Sequence, residues 1–261
     1  MQRVVFLLVL ISLSFYSCDD PPNEFTIEDE KKLCSVLHNR ILDRTGDFQV
    51  LPSSNIIVYD YMQELFDEVL NAPSIVFKDY FNWTIYILID DSKIDAFSLP
   101  GGCIYVYTGL LKNMDKVDHL AGMIAHMVYH VDKRHQISNV YSIYGFDKLN
   151  AIANENSSSE DADQLLDGLL DQVYTENQES DADQTSVDYL QFSRYSCSSL
   201  IGFYQLMDSL PTNSFLINHP LADREQVITD RVQQIGCSSI LWHDSPNGDQ
   251  GNYSTVISTL P

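Results

Sequence analysis

The stretch IDAFSLPGGCIYVYTGLLKNMDKVDHLAGMIAHMVYHVDKRH, residues 94–135, decides the fold. Its second half predicts a helix from about Lys116 onward, carrying His126 and His130 four residues apart. Side chains at i and i+4 stand one above the other on a single helix face. Both imidazoles can therefore reach one zinc ion at about 2.0–2.1 Å. Histidines at this spacing also occur in helices that bind nothing, so the spacing alone decides little. Between them stand Met127, Val128 and Tyr129, and a zinc peptidase carries a glutamate where this chain has Met127.

Working outward, the β-branched and aromatic run from Ser74 to Leu111, punctuated by Pro100-Gly101-Gly102, predicts strands joined by turns. Upstream, Thr26 with Asp29 three residues on forms a capping-box pattern that opens one helix. A second helix over Asn55–Ala72 stops before Pro73. Downstream, residues 155–184 hold ten acidic side chains and no Lys or Arg, yet QLLDGLLDQVY inside them is apolar at helical spacing. That predicts a helix with a solvated acidic face. Further helices are expected over 185–210 and 221–236. This order predicts one α+β domain, mainly helical around a small sheet, over residues 26–237 with a polar tail at 238–261.

Four ordered segments carry a resemblance. Ala96-Phe97, Leu99-Pro100-Gly101-Gly102, Thr108-Gly109-Leu110-Leu111, then Leu120-Ala121, Ala125-His126, His130 and Arg134-His135 resemble the signature of zinc metallopeptidase family forty-eight. These are gluzincins that include CAAX prenyl endopeptidases and HtpX- and BepA-type proteases. Asp95, His119 and Met127 depart from that signature. The resemblance implies a zincin-like fold, zinc as cofactor, and a third ligand from a glutamate at the head of E-x-E-A-D. Two stretches here end in Asp-Ala-Asp-Gln. The first has Ser159 at the ligand position; the second, residues 179–184, has Glu179, so Glu179 is the candidate. Asp183 lies on the same helix face and is expected to orient a ligating imidazole. His219-Pro220 followed by Arg224 resembles the family's histidine–proline segment, and His219 is a candidate fourth ligand.

In that family the glutamate after the first histidine takes a proton from the zinc-bound water. A methionine thioether has no titratable group and cannot. The expectation is a zinc-binding pseudopeptidase that holds a peptide or partner protein without cleaving it. Two alternatives stay open: an active metalloendopeptidase with a non-standard base, and a metal-free interaction lipoprotein. Asp132, five residues from Met127 on another helix face, is no evident substitute. Ile104-Tyr105-Val106-Tyr107 is expected to be the sheet edge on which substrate adds as a strand.

Composition bounds the rest. Of 261 residues, 44% are hydrophobic and 11% aromatic, as in a folded globular chain. With 15 basic against 37 acidic residues the formal charge is −22, which argues against nucleic acid as a partner. Arg3 and the apolar run Val4–Phe15 predict a signal peptide over residues 1–17, too short for a membrane span. Ser17-Cys18 resembles a bacterial lipobox. The chain is therefore expected to be exported, either anchored to a membrane by a lipid on Cys18, with residues 18–25 as linker, or secreted. Cys34, Cys103, Cys197 and Cys237 can form two disulfides in three connectivities, which sequence does not rank.

Overall fold

Thr26 opens the first helix as its capping box predicts: its hydroxyl accepts from the Asp29 amide at 3.2 Å, and the Asp29 carboxylate accepts from the Thr26 amide at 3.0 Å. The computed structural model describes residues 24–210, 221–237 and 250–261. Helix α1 (Ile27–Asp43) buries Leu33, Leu37 and Ile41 along one face, and α2 (Ile56–Leu70) buries Val58, Met62, Leu65 and Phe66. Residues 74–82, inside the run that predicts strands, form turns instead. Three strands follow: β1 (Thr84–Leu88), β2 (Ala96–Leu99) and β3 (Cys103–Tyr107). The sheet order is β1-β3-β2, with β1 parallel and β2 antiparallel to β3.

This order corrects one expectation. Ile104-Tyr105-Val106-Tyr107 is the central strand, hydrogen-bonded on both sides and buried along its length, so it has no free edge. The edge is β2. Tyr107 donates its amide to the Asp95 carbonyl at 3.1 Å. In the antiparallel alternation Asp95, Phe97 and Leu99 then turn their backbone groups to β3, and Ala96 and Ser98 turn theirs to the open side. Between β2 and β3, Gly101 and Gly102 adopt φ of +88° and +101°. A Cβ at Gly101 would stand 2.5 Å from the Glu30 carbonyl, so this turn presses directly on α1.

Thr108-Gly109-Leu110-Leu111 begins a short helix, α3 (Thr108–Asn113), and not a strand. Helix α4 (Val117–Asp132) is buried at all 16 positions. Such enclosure requires helices on every side, and α4 packs on α2, on α5 (His135–Ala153), and on α7 (Glu176–Leu190) and α8 (Ser199–Ser209). Gly122 permits the last contact, because a Cβ there would lie 2.5 Å from the Leu200 amide. In α6 (Ser159–Leu170) the apolar residues Leu165, Leu166 and Leu169 face inward. Its acids Asp163 and Asp167 pair with Arg40 and Arg44 of α1.

Helices α9 (Leu221–Ile235) and α10 (Gln250–Ile257) complete the order. The polar tail expected from residue 238 is corrected over its last part. Tyr253 is 2% exposed, sits in the main core, and donates its hydroxyl to the Leu111 carbonyl at 2.7 Å. The disulfides are Cys34–Cys103, which ties α1 to β3, and Cys197–Cys237, which ties the α7–α8 connection to the residues after α9. Among the described residues no helix is long and apolar enough to cross a membrane.

Candidate metal centre

One turn of α4 sets the first two donors. The Nε2 atoms of His126 and His130 lie 3.0 Å apart, and both rings are buried. From α7, Oε2 of Glu179 comes to 3.4 Å from His126 Nε2. One donor atom from each of the three side chains lies within 4.8 Å of the others. Two imidazole nitrogens on a shared tetrahedral zinc stand roughly 3.3 Å apart at ordinary zinc–nitrogen lengths, so this donor set fits such an ion. Protonation fits for two of the three donors. Burial and the neighbouring His126 hold His130 well below the usual imidazole range, so it is neutral. Burial pushes Glu179 up, but its contact with His126 and the Arg224 guanidinium outweigh it and hold the carboxyl down to about 2. An ionised carboxylate beside a neutral imidazole is what a divalent cation requires.

Each donor is held from behind. Asp183 is fully buried, and its Oδ1 lies 3.0 Å from His126 Nδ1, at ion-pair distance but without hydrogen-bond alignment. Burial opposes a charge on His126, and the carboxylates of Asp183 and Glu179 overcome it, raising the imidazole above its ordinary value. Asp183 also accepts the Tyr204 hydroxyl at 2.7 Å and two donations from Arg224, each at 2.8 Å. The same Arg224 guanidinium donates to Glu179 Oε2 at 2.7 Å and lies over the Tyr204 ring, 4.3 Å from its centroid. Behind His130, its Nδ1 stands 3.0 Å from His135 Nδ1, and the Tyr174 ring stacks on it with centroids 3.8 Å apart.

The structure thus brings His126, His130, Glu179 and Asp183 together, four of the residues singled out in the sequence. His219 and Cys18 lie outside the described residues. No task for Arg224 or His135 is legible in the sequence. Their only signals were positions within the matched segments, one after the histidine–proline pair and the other after Arg134. Arg224→Ala leaves Glu179 and Asp183 buried without their counter-ion. Removing one partner of a buried ion pair costs about 3–5 kcal/mol. Denaturant unfolding of the variant should show a loss of that size, together with weakened zinc binding. Unchanged stability would mean that this network carries no load.

The centre opens into a cleft of about 740 Å3, lined by His126, Met127, His130 and Glu179 on one side and by Asp95–Ser98 on another. Met127 is 5% exposed. Asp132 is committed elsewhere: it accepts from the amides of Val76 and Phe77 and from the Tyr189 hydroxyl, so it is a structural anchor. Strand β2 presents its open side to the cleft. Gln136 donates to the Ser98 hydroxyl there at 2.5 Å, and the Asp95 side chain accepts from the Ala96 amide at 2.8 Å.

Comparison with known proteins agrees with this geometry. The model of Peptidase family M48 matches residues 59–232, well over half of the chain. Metalloprotease YcaL of Escherichia coli (strain K12) is 28% identical over 162 residues, covering 58% of this chain and 62% of its own length. Metalloprotease LoiP of the same organism is 26% identical over 165 residues, covering 59% and 64%. The beta-barrel assembly-enhancing protease of Yersinia pestis is 26% identical over 204 residues, covering 68% of this chain and 41% of its own length. The chain therefore spans less than two thirds of each of these relatives. With the two helix histidines, the glutamate of α7 and the family match all on the same segment, this chain belongs to peptidase family M48.

Proposed function

We propose that this chain is a zinc-binding pseudopeptidase, which holds an extended peptide or a segment of a partner protein in the cleft and does not cut it. The observation that carries the reading is Met127, which lies in the cleft beside the ligand histidines where the family's reaction needs a carboxylate. A bound zinc supplies Lewis-acid polarisation and lowers the pKa of a coordinated water. The residues present bind and orient, but a thioether can neither accept the water's proton nor pass it to a leaving amine. His126, His130 and Glu179 would hold the ion, and Asp183 and Arg224 would steady the first and third of these. The Ala96 carbonyl and the Ser98 backbone would pair with the ligand, the Ala96 amide being held by Asp95.

Strand addition makes this testable on its own. Proline is tolerated on an edge strand when the missing N–H faces outward. Ser98→Pro removes an outward-facing donor together with the hydroxyl that accepts from Gln136, so it is compared with Ser98→Ala, which loses the hydroxyl alone. Relative to Ser98→Ala it should weaken the binding of an extended unstructured peptide about tenfold, the worth of one hydrogen bond of about 1.4 kcal/mol. Fluorescence anisotropy of a labelled peptide measures it. Equal affinity of the two variants would place the peptide elsewhere.

The setting belongs to the same proposal. The apolar run Val4–Phe15 and Cys18 support export and a lipid anchor. Two disulfides support an oxidising compartment.

A further inference from the structure

Helix α1 lies outside the family match at residues 59–232, yet it reaches the metal centre through three side chains. Glu30 of α1 is fully buried, and its Oε1 accepts from Arg134 Nε in a short contact. Arg134 also donates to the Phe25 carbonyl, so both of its links lead to the N-terminal segment. Arg134 itself adopts φ +57° and ψ +30°, the left-handed region that non-glycine residues seldom occupy. That residue breaks the chain between α4 and α5.

The break decides where His135 goes. On one continuous helix, residues five apart point roughly 140° away from each other, and His135 could not meet His130. With the reversal at Arg134, the two Nδ1 atoms stand 3.0 Å apart. A metal-binding imidazole gives the lone pair of one nitrogen to the ion and hydrogen-bonds through the other, which fixes its tautomer and ring plane. His130 Nε2 faces His126 Nε2, so its Nδ1–H is the group left to donate, and His135 Nδ1 is the acceptor.

We infer that Glu30, acting through Arg134 and His135, is a positioning residue for the metal ligand His130, so that the N-terminal helix completes a centre whose ligands all lie elsewhere. Two further contacts fix the register of α1: the Cys34–Cys103 disulfide one turn along, and the Gly101 turn pressed against the Glu30 carbonyl. The inference rests on His126, His130 and Glu179 holding a metal.

The test is zinc affinity of the full chain, read by competition with a chromophoric chelator, together with the tautomer of His130 read from ring-nitrogen shifts in NMR. Loss of an outer partner of a ligand typically costs about 10–100-fold in metal affinity. H135L should show that loss and a mixed His130 tautomer, while H135N, which keeps an acceptor at the δ position, should stay within about threefold of wild type. E30Q should weaken zinc binding about tenfold at an unchanged ligand set. Should E30Q fail to fold, E30L combined with Arg134→Leu removes both charges, leaves a non-glycine residue in the left-handed region without its tether, and should show the same loss. Wild-type affinity in H135L overturns the role of His135. A loss in H135L with none in the Glu30 variants overturns the role of α1. A wild-type chain that binds no zinc overturns instead the metal reading beneath both.

Discussion

Glu179→Ala should take the purified protein from about one zinc per chain to almost none. The carboxylate is the one anionic donor of the three, it is held ionised, and it comes from α7, a different helix from the histidines. Without it two imidazoles of a single helix remain, and they lack both the charge and the geometry of a closed site. The affinity loss should exceed the 10–100-fold that removal of an outer partner produces. The variant also removes one partner of Arg224, which still pairs with Asp183. Elemental analysis of protein purified without chelator checks the result, with Glu176→Ala, an acid of the same helix's first turn, as control. Full zinc in Glu179→Ala would mean that the third ligand lies elsewhere.

Met127→Glu is expected to raise hydrolysis above the wild-type background. The backbone at residue 127 is fixed by a fully buried helix whose neighbouring histidines face the centre, and the side chain already lines the cleft. A carboxylate introduced there stands at a largely buried position, where burial raises its pKa toward that of a useful base. General-base catalysis contributes about 10²–10⁴-fold. Part of that factor, at least about tenfold over the wild-type background, should appear as chelator-sensitive cleavage of an unfolded protein such as casein. Asp95 and His119 also depart from the family signature, and Asp95 already holds the Ala96 amide at the cleft edge. If the variant binds zinc and peptide like wild type and still cleaves nothing, Met127 is not the sole barrier.

Local chemistry is what the sequence made legible. The Thr26 capping box, the 126/130 spacing, and the choice of Glu179 over Ser159 each rest on residues within a turn or two of one another, and the structure places them as those patterns imply. Long-range order was not legible. A run such as Ile104–Tyr107 is apolar on both faces, and nothing in it tells a central strand from an edge, because its neighbours lie in β1 and β2. Disulfide pairing was open for the same reason. The left-handed Arg134 could not be read because a glycine or asparagine normally marks that conformation, and here a buried Glu30, more than a hundred residues away, holds it. Helix α10 reads as tail in the sequence because the two side chains that anchor it, Tyr253 and Ile257, sit amid polar neighbours. The role of Arg224 depends on α9 lying across α7, which no local pattern announces.

The most direct measurement is the turnover of an unstructured protein substrate by the wild-type chain, loaded with one equivalent of zinc and freed of contaminating proteases. A pseudopeptidase retains the metal, binds the substrate and leaves it intact, with any cleavage at or near the background of free zinc. Brisk proteolysis that a chelator stops and added zinc restores would contradict the account, since it would require a base that Met127 cannot be.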